Sequence, residues 1–228
     1  MKISRRAMLS ATVASGLLLG STNLKANAAE GSLPAYTPKP LPFKPGTLDG
    51  ISAKLIESHH AKNYSGAVKR LNSILQSIAG LANDVPAYQL AGLKREELIA
   101  RNSMILHEFY FDNLGGNGKL GGEIENQIKN SFGSIEAWEQ DFKLTGQSLS
   151  GGSGWVILAY SRNDKRLHNV WSSDHTVGLA DSAPILVMDM YEHSYQMDYG
   201  ADAKAYIDAF FKNINWEVAD NLMKERSK

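Results

Sequence analysis

The sequence predicts an α+β fold in which an N-terminal helical hairpin is followed by a small three-stranded antiparallel sheet covered by helices. The first half places apolar residues three or four positions apart over two long stretches, which is the spacing of helices that bury one face. The second half contains short apolar segments that flank a turn, which is typical of strands, and then returns to helical spacing.

Residues 1–28 have the organisation of an export signal. Basic residues precede an apolar run of about fourteen residues, which is too short to cross a bilayer. Ala26-Asn27-Ala28 then fits the A-x-A cleavage pattern. Arg5-Arg6, placed just before the apolar run, form a twin-arginine pattern of the kind that directs folded proteins to export. We therefore expect a periplasmic or secreted protein.

The composition of the remaining chain excludes several classes of partner. Residues 1–28 hold four cations and no acid, so their removal would change the formal net charge from 0 to −4. A mildly acidic chain does not suit nucleic acid or an anionic membrane surface. No second apolar stretch is long enough to span a bilayer, so we expect no stable membrane association. Cysteine is absent, so any metal must be bound by His, Asp, Glu or Asn.

The first half divides into an arm and a hairpin. Residues 29–49 contain five of the seven prolines and are predicted to be an extended N-terminal arm. Residues 50–118 are predicted to form the helical hairpin domain. Ser52 can cap its first helix, and "LKREELIARNSMILHEFYFDNL" supplies the second, which ends at the glycine-rich "GGNGKLGG".

Residues 119–228 are predicted to form an α/β C-terminal domain. "GEIENQIKNSFGSIEAWEQDFKLTGQSL" predicts two helices separated near Gly133. "GWVILAY" and "LHNVWSS" predict a β-hairpin with Asn163-Asp164 in its turn, and "APILVMD" predicts a third strand. "AKAYIDAFFKNINWEVADNLMKERS" predicts closing helices.

Three histidines and one aspartate lie in apolar surroundings on separate segments. His59 shares a helical stripe with Asn63, His107 lies in "SMILHEFYF", and Asp189 precedes His193 by four positions after an apolar run. Each histidine alone is explained as a hydrogen-bonded core residue. Together, three imidazoles and a carboxylate form a ligand set that suits Fe, Mn or Zn. Spacing does not show that the segments converge, so the residues alone leave both interpretations open.

Several segments, in order from about residue 36 to 228, resemble the iron/manganese superoxide dismutase family. "LHEFYFDNL" is similar to the family's N-H-x-F-[YF]-W-N-x-L, "GSGWVIL" to its G-S-G-W strand entry, and "DMYEHSYQMDY" to its D-V-W-E-H-A-Y-Y-x-D-Y. The resemblance implies one Mn or Fe per subunit, bound by His59, His107, Asp189, His193 and a solvent molecule. It also implies that superoxide is the substrate and that dioxygen and hydrogen peroxide are the products.

The same resemblance assigns further roles. In the family, a Gln or His donates a hydrogen bond to the solvent on the metal. Ser103 stands at one of the two positions for this donor and is too short, so His175 takes the role, while Trp155 lines the site. Glu192 matches the glutamate that reaches the partner subunit's ligand. We therefore expect a homodimer, and a tetramer is also open.

The chain departs from the family pattern where substrate would enter. The family has H-x-x-x-H-x-x-x-Y on the first helix, whereas this chain has Asn63 and Ala67 at the second and third positions, and Gln196 replaces a tyrosine. Asn63 and Gln196 are expected to meet across the dimer interface. Water filling the vacated space would preserve dismutation. A wider channel would instead favour a peroxidase-like or organic-substrate oxidase, and a metal-binding protein without catalysis is the third possibility.

Overall fold

The computed structural model describes residues 35–227. The predicted signal, residues 1–28, and the first part of the predicted arm lie outside the described residues. From residue 35 the arm has no regular structure before a 3-10 turn at Pro45–Thr47. Tyr36 N–H donates to Asn72 Oδ1 at 3.0 Å, and Asn72 Nδ2 donates to Tyr36 O at 2.8 Å, so the arm is tied to the first half of the hairpin.

The described residues contain α-helices and a three-stranded sheet, which confirms the predicted α+β class. The helices are α1 (Ala53–Ser58), α2 (Ser65–Ala79), α3 (Ala87–Asp112), α4 (Glu123–Phe132), α5 (Ile135–Gln147), α6 (Gln196–Tyr199), α7 (Ala203–Lys212) and α8 (Trp216–Arg226). The strands are β1 (Trp155–Ser161), β2 (Leu167–Ser172) and β3 (Ser182–Asp189). Over residues 35–227, none of the helices combines the length and apolar character that a bilayer span needs.

The first helix of the hairpin contains a turn that its apolar spacing does not predict. Ser52 caps α1 by accepting from Leu55 N–H at 3.1 Å, as expected. Between α1 and α2, His59–Tyr64 form a π-helical turn, in which Ser65 N–H reaches back five residues to His60 O. Such turns widen the helix locally and are frequent at functional sites. α2 then packs along α3 to complete the hairpin.

The sheet has β1 in its centre, paired antiparallel with β2 on one side and β3 on the other. All residues of β1 are buried, because α3 and α8 pack against β3 and the helices α4 and α5 pack against β2. In register, Trp155 pairs with Asp189 of β3 and with Ser172 of β2. The sheet thus places Trp155 beside the last residue of β3.

One buried amide fixes α3 against β3. Asn113, which directly follows α3 as its C-cap, donates from Nδ2 to Ile185 O at 3.1 Å and accepts from Val187 N–H at Oδ1 at 3.0 Å. Because α3 carries His107 and β3 carries Asp189, this pair of hydrogen bonds sets how those two side chains approach each other.

Candidate metal centre

Four side chains from different elements converge in the core. His59 begins the π-helical turn, His107 lies in α3, Asp189 ends β3, and His193 lies in the 3-10 turn Glu192–Ser194. One ligand atom from each lies within 4.8 Å of all the others. Of the six histidines, the structure therefore brings together the three that the sequence selected.

The separations between these atoms match one shared metal ion. Asp189 Oδ2 lies 3.1 Å from His59 Nε2, 3.7 Å from His107 Nε2 and 3.2 Å from His193 Nε2. Ligands that bind one ion at about 2.1 Å are about 3.0 to 3.6 Å apart when they subtend angles of about 90 to 120°. Three imidazoles and one carboxylate are a donor set that Fe and Mn accept.

Some buried nitrogen atoms of this cluster have no hydrogen-bond partner within residues 35–227. Both ring nitrogens of His59 and Nε2 of His107 have no hydrogen-bond partner among the described residues. His107 Nδ1 lies 2.6 Å from Ser103 O, and a carbonyl only accepts, so Nδ1 carries the proton and Nε2 presents a lone pair. A buried polar atom left unpaired costs about 1 to 3 kcal/mol. Coordination to a metal ion would satisfy Nε2 of His59 and Nε2 of His107.

Asp189 supplies a fixed negative charge to the cluster. Burial by itself would raise the pKa of this carboxyl group, but the neighbouring His193 and His59 hold its pKa well below the usual range. Its Oδ1 accepts from Tyr191 N–H at 2.8 Å, and its backbone oxygen accepts from Tyr206 Oη at 2.8 Å. The carboxylate is therefore ionised and oriented before any cation binds.

The histidines of the cluster respond to burial differently. Burial lowers the pKa of His107 to about 3 and also lowers the pKa of His59, despite the raising effect of Asp189 on both. Burial acts on His193 in the same direction, but attraction by the Asp189 carboxylate and a hydrogen bond that this carboxylate accepts outweigh it, so the pKa of His193 is raised. His59 and His107 are thus neutral imidazoles, the form that binds metals.

His175 and Trp155 lie beside the cluster and contact each other. Trp155 Nε1–H donates to His175 Nδ1 at 3.0 Å, so the ring proton of neutral His175 lies on Nε2. Burial lowers the pKa of His175, which favours this neutral form. The Tyr191 ring stacks on His175 at 4.9 Å and on His193 at 5.4 Å, and the Trp155 ring lies 5.1 Å from His107.

A pocket of about 340 Å³ opens beside His175. Its wall includes Asn63 and Ala67 from the π-helical turn and α2, and Ser103 from α3. The exposed cations Lys62 and Arg70 also line it. The structure therefore places Asn63, Ala67 and His175 around one space, and Ala67 contributes only a methyl group to it.

Comparison with known proteins now decides the family. Residues 120–222 match the model described as iron/manganese superoxide dismutases, C-terminal domain. A superoxide dismutase [Fe] from Cupriavidus metallidurans is 56% identical over 185 residues, which cover 81% of this chain and 94% of the relative. This chain belongs to the iron/manganese superoxide dismutase family.

More distant relatives of this family carry either metal in their names. A superoxide dismutase [Fe] from Aquifex pyrophilus is 34% identical over 201 residues, covering 82% of this chain and 90% of the relative. A superoxide dismutase [Mn] 1 from Halobacterium salinarum is 31% identical over 186 residues, covering 80% and 92%. The resemblance found in the sequence is thereby confirmed, and the names include both Fe and Mn.

Tyr64 lies close to the cluster and was missed by sequence reasoning. Its buried hydroxyl donates to Glu108 Oε1 at 3.0 Å and accepts from Lys39 N–H at 2.9 Å. Burial and the Glu108 carboxylate raise the pKa of Tyr64 to about 12. Tyr64 does not line the pocket at Ala67. It therefore does not replace the hydroxyl that the family pattern has at position 67.

The two residues predicted to bridge subunits lie on the surface. Glu192 is in the 3-10 turn next to His193, and Gln196 begins α6; both side chains are exposed. Neither one lines the pocket that contains Asn63.

Proposed function

We propose that this protein is a superoxide dismutase that binds one Fe or Mn per subunit through His59, His107, Asp189 and His193. The observation that carries the proposal is the buried cluster, in which nitrogens without a partner surround one carboxylate oxygen at ligand spacing. The iron and manganese superoxide dismutases among its relatives support the same assignment.

A bound Fe or Mn would supply a +2/+3 redox couple, which would oxidise one superoxide to dioxygen and reduce a second, with uptake of two protons, to hydrogen peroxide. The protein's own residues bind and orient the reactants. Lys62 places positive charge at the pocket, which favours entry of an anion, whereas the charge of Arg70 is paired with Glu96. His175, oriented by Trp155, offers Nε2–H to an oxygen atom of the substrate or of water.

Proton delivery through the pocket depends on water. Ala67 has no group that can donate a proton, and the polar side chains that line the pocket are those of Lys62, Asn63, Arg70, Ser103 and His175. A pocket of about 340 Å³ has room for several water molecules, each of which takes about 30 Å³ in the liquid. We therefore propose that ordered water carries protons to the peroxide product where the family pattern has a tyrosine.

The test is superoxide decay measured by stopped-flow absorbance, together with metal analysis of the same sample. Purified protein with one Fe or Mn per chain should accelerate the decay, and His107→Ala should lose both the metal and the acceleration. Fully loaded protein that leaves superoxide decay unchanged would overturn the proposal. Slow metal exchange without turnover would then identify a metal-binding protein.

The size of the pocket at Ala67 favours a second candidate function. The space exceeds what a diatomic anion needs, so a peroxidase-like reaction is open, in which hydrogen peroxide is reduced to two water molecules by electrons from an organic donor. Ala67→Tyr would fill part of the pocket and should abolish such a reaction while sparing dismutation. This candidate is excluded if no reducing phenol or aromatic amine is oxidised by the loaded wild-type protein.

We also propose that the protein is exported to the periplasm or beyond. Arg5-Arg6 before an apolar run, and the A-x-A pattern that ends at Ala28, support this route. Cell fractionation should find the processed chain outside the cytoplasm, with Ala29 at its N-terminus. Arg5→Lys with Arg6→Lys should retain the precursor inside. Export of that double variant at the wild-type level would contradict the twin-arginine route.

We further propose that the enzyme is a homodimer in which Glu192 reaches the partner's metal site and Gln196 meets the partner's Asn63. The exposure of Glu192 and Gln196 beside His193 supports this arrangement. Light scattering after size-exclusion chromatography should give twice the chain mass, or four times that mass for a tetramer. A monomeric mass at micromolar concentration with full activity would contradict the proposal.

A further inference from the structure

His175 lies on the loop of residues 173–181, between β2 and β3, and not on a helix or strand. The loop has hydrogen bonds of its own. Asp174 Oδ1 accepts from the amide and the hydroxyl of Thr176, both at 2.6 Å, and Ser172 Oγ lies 2.7 Å from Asp174 O and from Val177 O. These bonds shape the loop, but they do not fix it against the helix that carries His107.

Asn102 makes that connection. Its Nδ2 donates to the backbone oxygen of His175 at 2.6 Å. Among the hydrogen bonds of residues 35–227, this is the one that joins the loop to the helical hairpin. Asn102 lies on α3 next to Ser103, whose carbonyl accepts from His107 Nδ1. Adjacent residues of α3 therefore bind the loop of His175 and fix the orientation of the His107 ring.

We propose that Asn102 is a positioning residue for His175. The His175 backbone is held by Asn102 and its ring by Trp155, and these two points together define where Nε2–H is directed. Groups that orient a donor or ligand beside a metal affect activity although they do not touch the metal. The role of His175 in catalysis rests on the proposed function, whereas the contact of Asn102 with its loop does not.

Two variants remove the interaction in different ways. Asn102→Asp keeps the shape of the side chain but presents an oxygen to the His175 carbonyl in place of the N–H donor. Asn102→Ala deletes the amide and, by helix propensity alone, would favour α3. The matched control is Gln89→Ala, which removes an exposed amide from the same helix.

The direct readout is the indole N–H signal of Trp155. The chain has four tryptophans, so a ¹⁵N-tryptophan-labelled sample gives a simple spectrum, in which Trp155→Phe identifies the signal. The mature chain is loaded with Zn²⁺, which is diamagnetic and accepts the same donor types. In both Asn102 variants the signal should move from its wild-type position towards its position in His175→Ala, because the bond to Nδ1 is populated less.

The second readout is turnover by the Fe- or Mn-loaded enzyme. Each Asn102 variant should lose about five-fold in kcat with unchanged metal content, equivalent to about 1 kcal/mol at 1.36 kcal/mol per ten-fold. Gln89→Ala should match the wild type in both measurements. A Trp155 signal at the wild-type position overturns the positioning role, whether or not turnover changes. If the wild type fails to dismutate superoxide, the proposed function fails, and the NMR result still decides the role of Asn102.

Discussion

Asn113→Ala tests how the two halves of the metal centre are held together. The Asn113 side chain is fully buried and bonds both Ile185 O and Val187 N–H of β3. The substitution leaves one buried acceptor and one buried donor unpaired, and each costs about 1 to 3 kcal/mol. The free energy of unfolding should therefore fall by about 2 to 6 kcal/mol. A typical single domain has only about 5 to 15 kcal/mol in total.

The assay is urea unfolding of the metal-free protein, monitored by its tryptophan fluorescence. Asn126→Ala makes the same chemical change at an exposed position of α4 and should alter the free energy of unfolding by less than about 0.5 kcal/mol. Metal affinity should also fall in Asn113→Ala, because β3 carries Asp189. If the free energy of unfolding of Asn113→Ala lies within about 0.5 kcal/mol of that of Asn126→Ala, Asn113 does not couple α3 to β3 in the way described.

Three further predictions concern the site itself. His175→Ala should lower turnover by about 10- to 100-fold at unchanged metal content, measured by stopped-flow superoxide decay, and equal turnover would remove His175 from the mechanism. Tyr64→Phe removes the hydroxyl bonded to Glu108 and should cost about 1 kcal/mol of stability in urea while leaving turnover unchanged; lost turnover would place Tyr64 in proton delivery. Metal removal by a chelator should lower Tm, and adding back metal at 100 times its Kd should restore about 2.7 kcal/mol; an unchanged Tm would mean that the cluster does not bind the metal.

The sequence predicted the elements and the members of the cluster because their signals are local. Helical spacing of apolar residues marked α2 and α3, and an uninterrupted apolar run marked β3. His59 continues the helical stripe of Asn63, which the adjacent His60 does not share. In the structure, His59 is in the buried cluster, whereas His60 Nε2 lies 2.8 Å from Lys39 O near the surface.

The features that the sequence did not predict depend on contacts between distant residues or on irregular backbone geometry. The π-helical turn at His59–Tyr64 depends on one shifted hydrogen bond, which apolar spacing does not encode. Asn102 bonds a backbone oxygen 73 residues away, and Asn113 bonds backbone groups 72 and 74 residues away. A single amide in a helical pattern carries no sign of such a partner, so these roles emerge only from the folded chain.

The most direct test of the central claim is superoxide decay measured during stepwise loading of the metal-free protein with Fe²⁺ or Mn²⁺. If the cluster of His59, His107, Asp189 and His193 is the catalytic centre, the decay rate should rise linearly with occupancy and level off at one ion per chain. The claim is contradicted if the cluster fills to one ion per chain while superoxide decays no faster than in buffer.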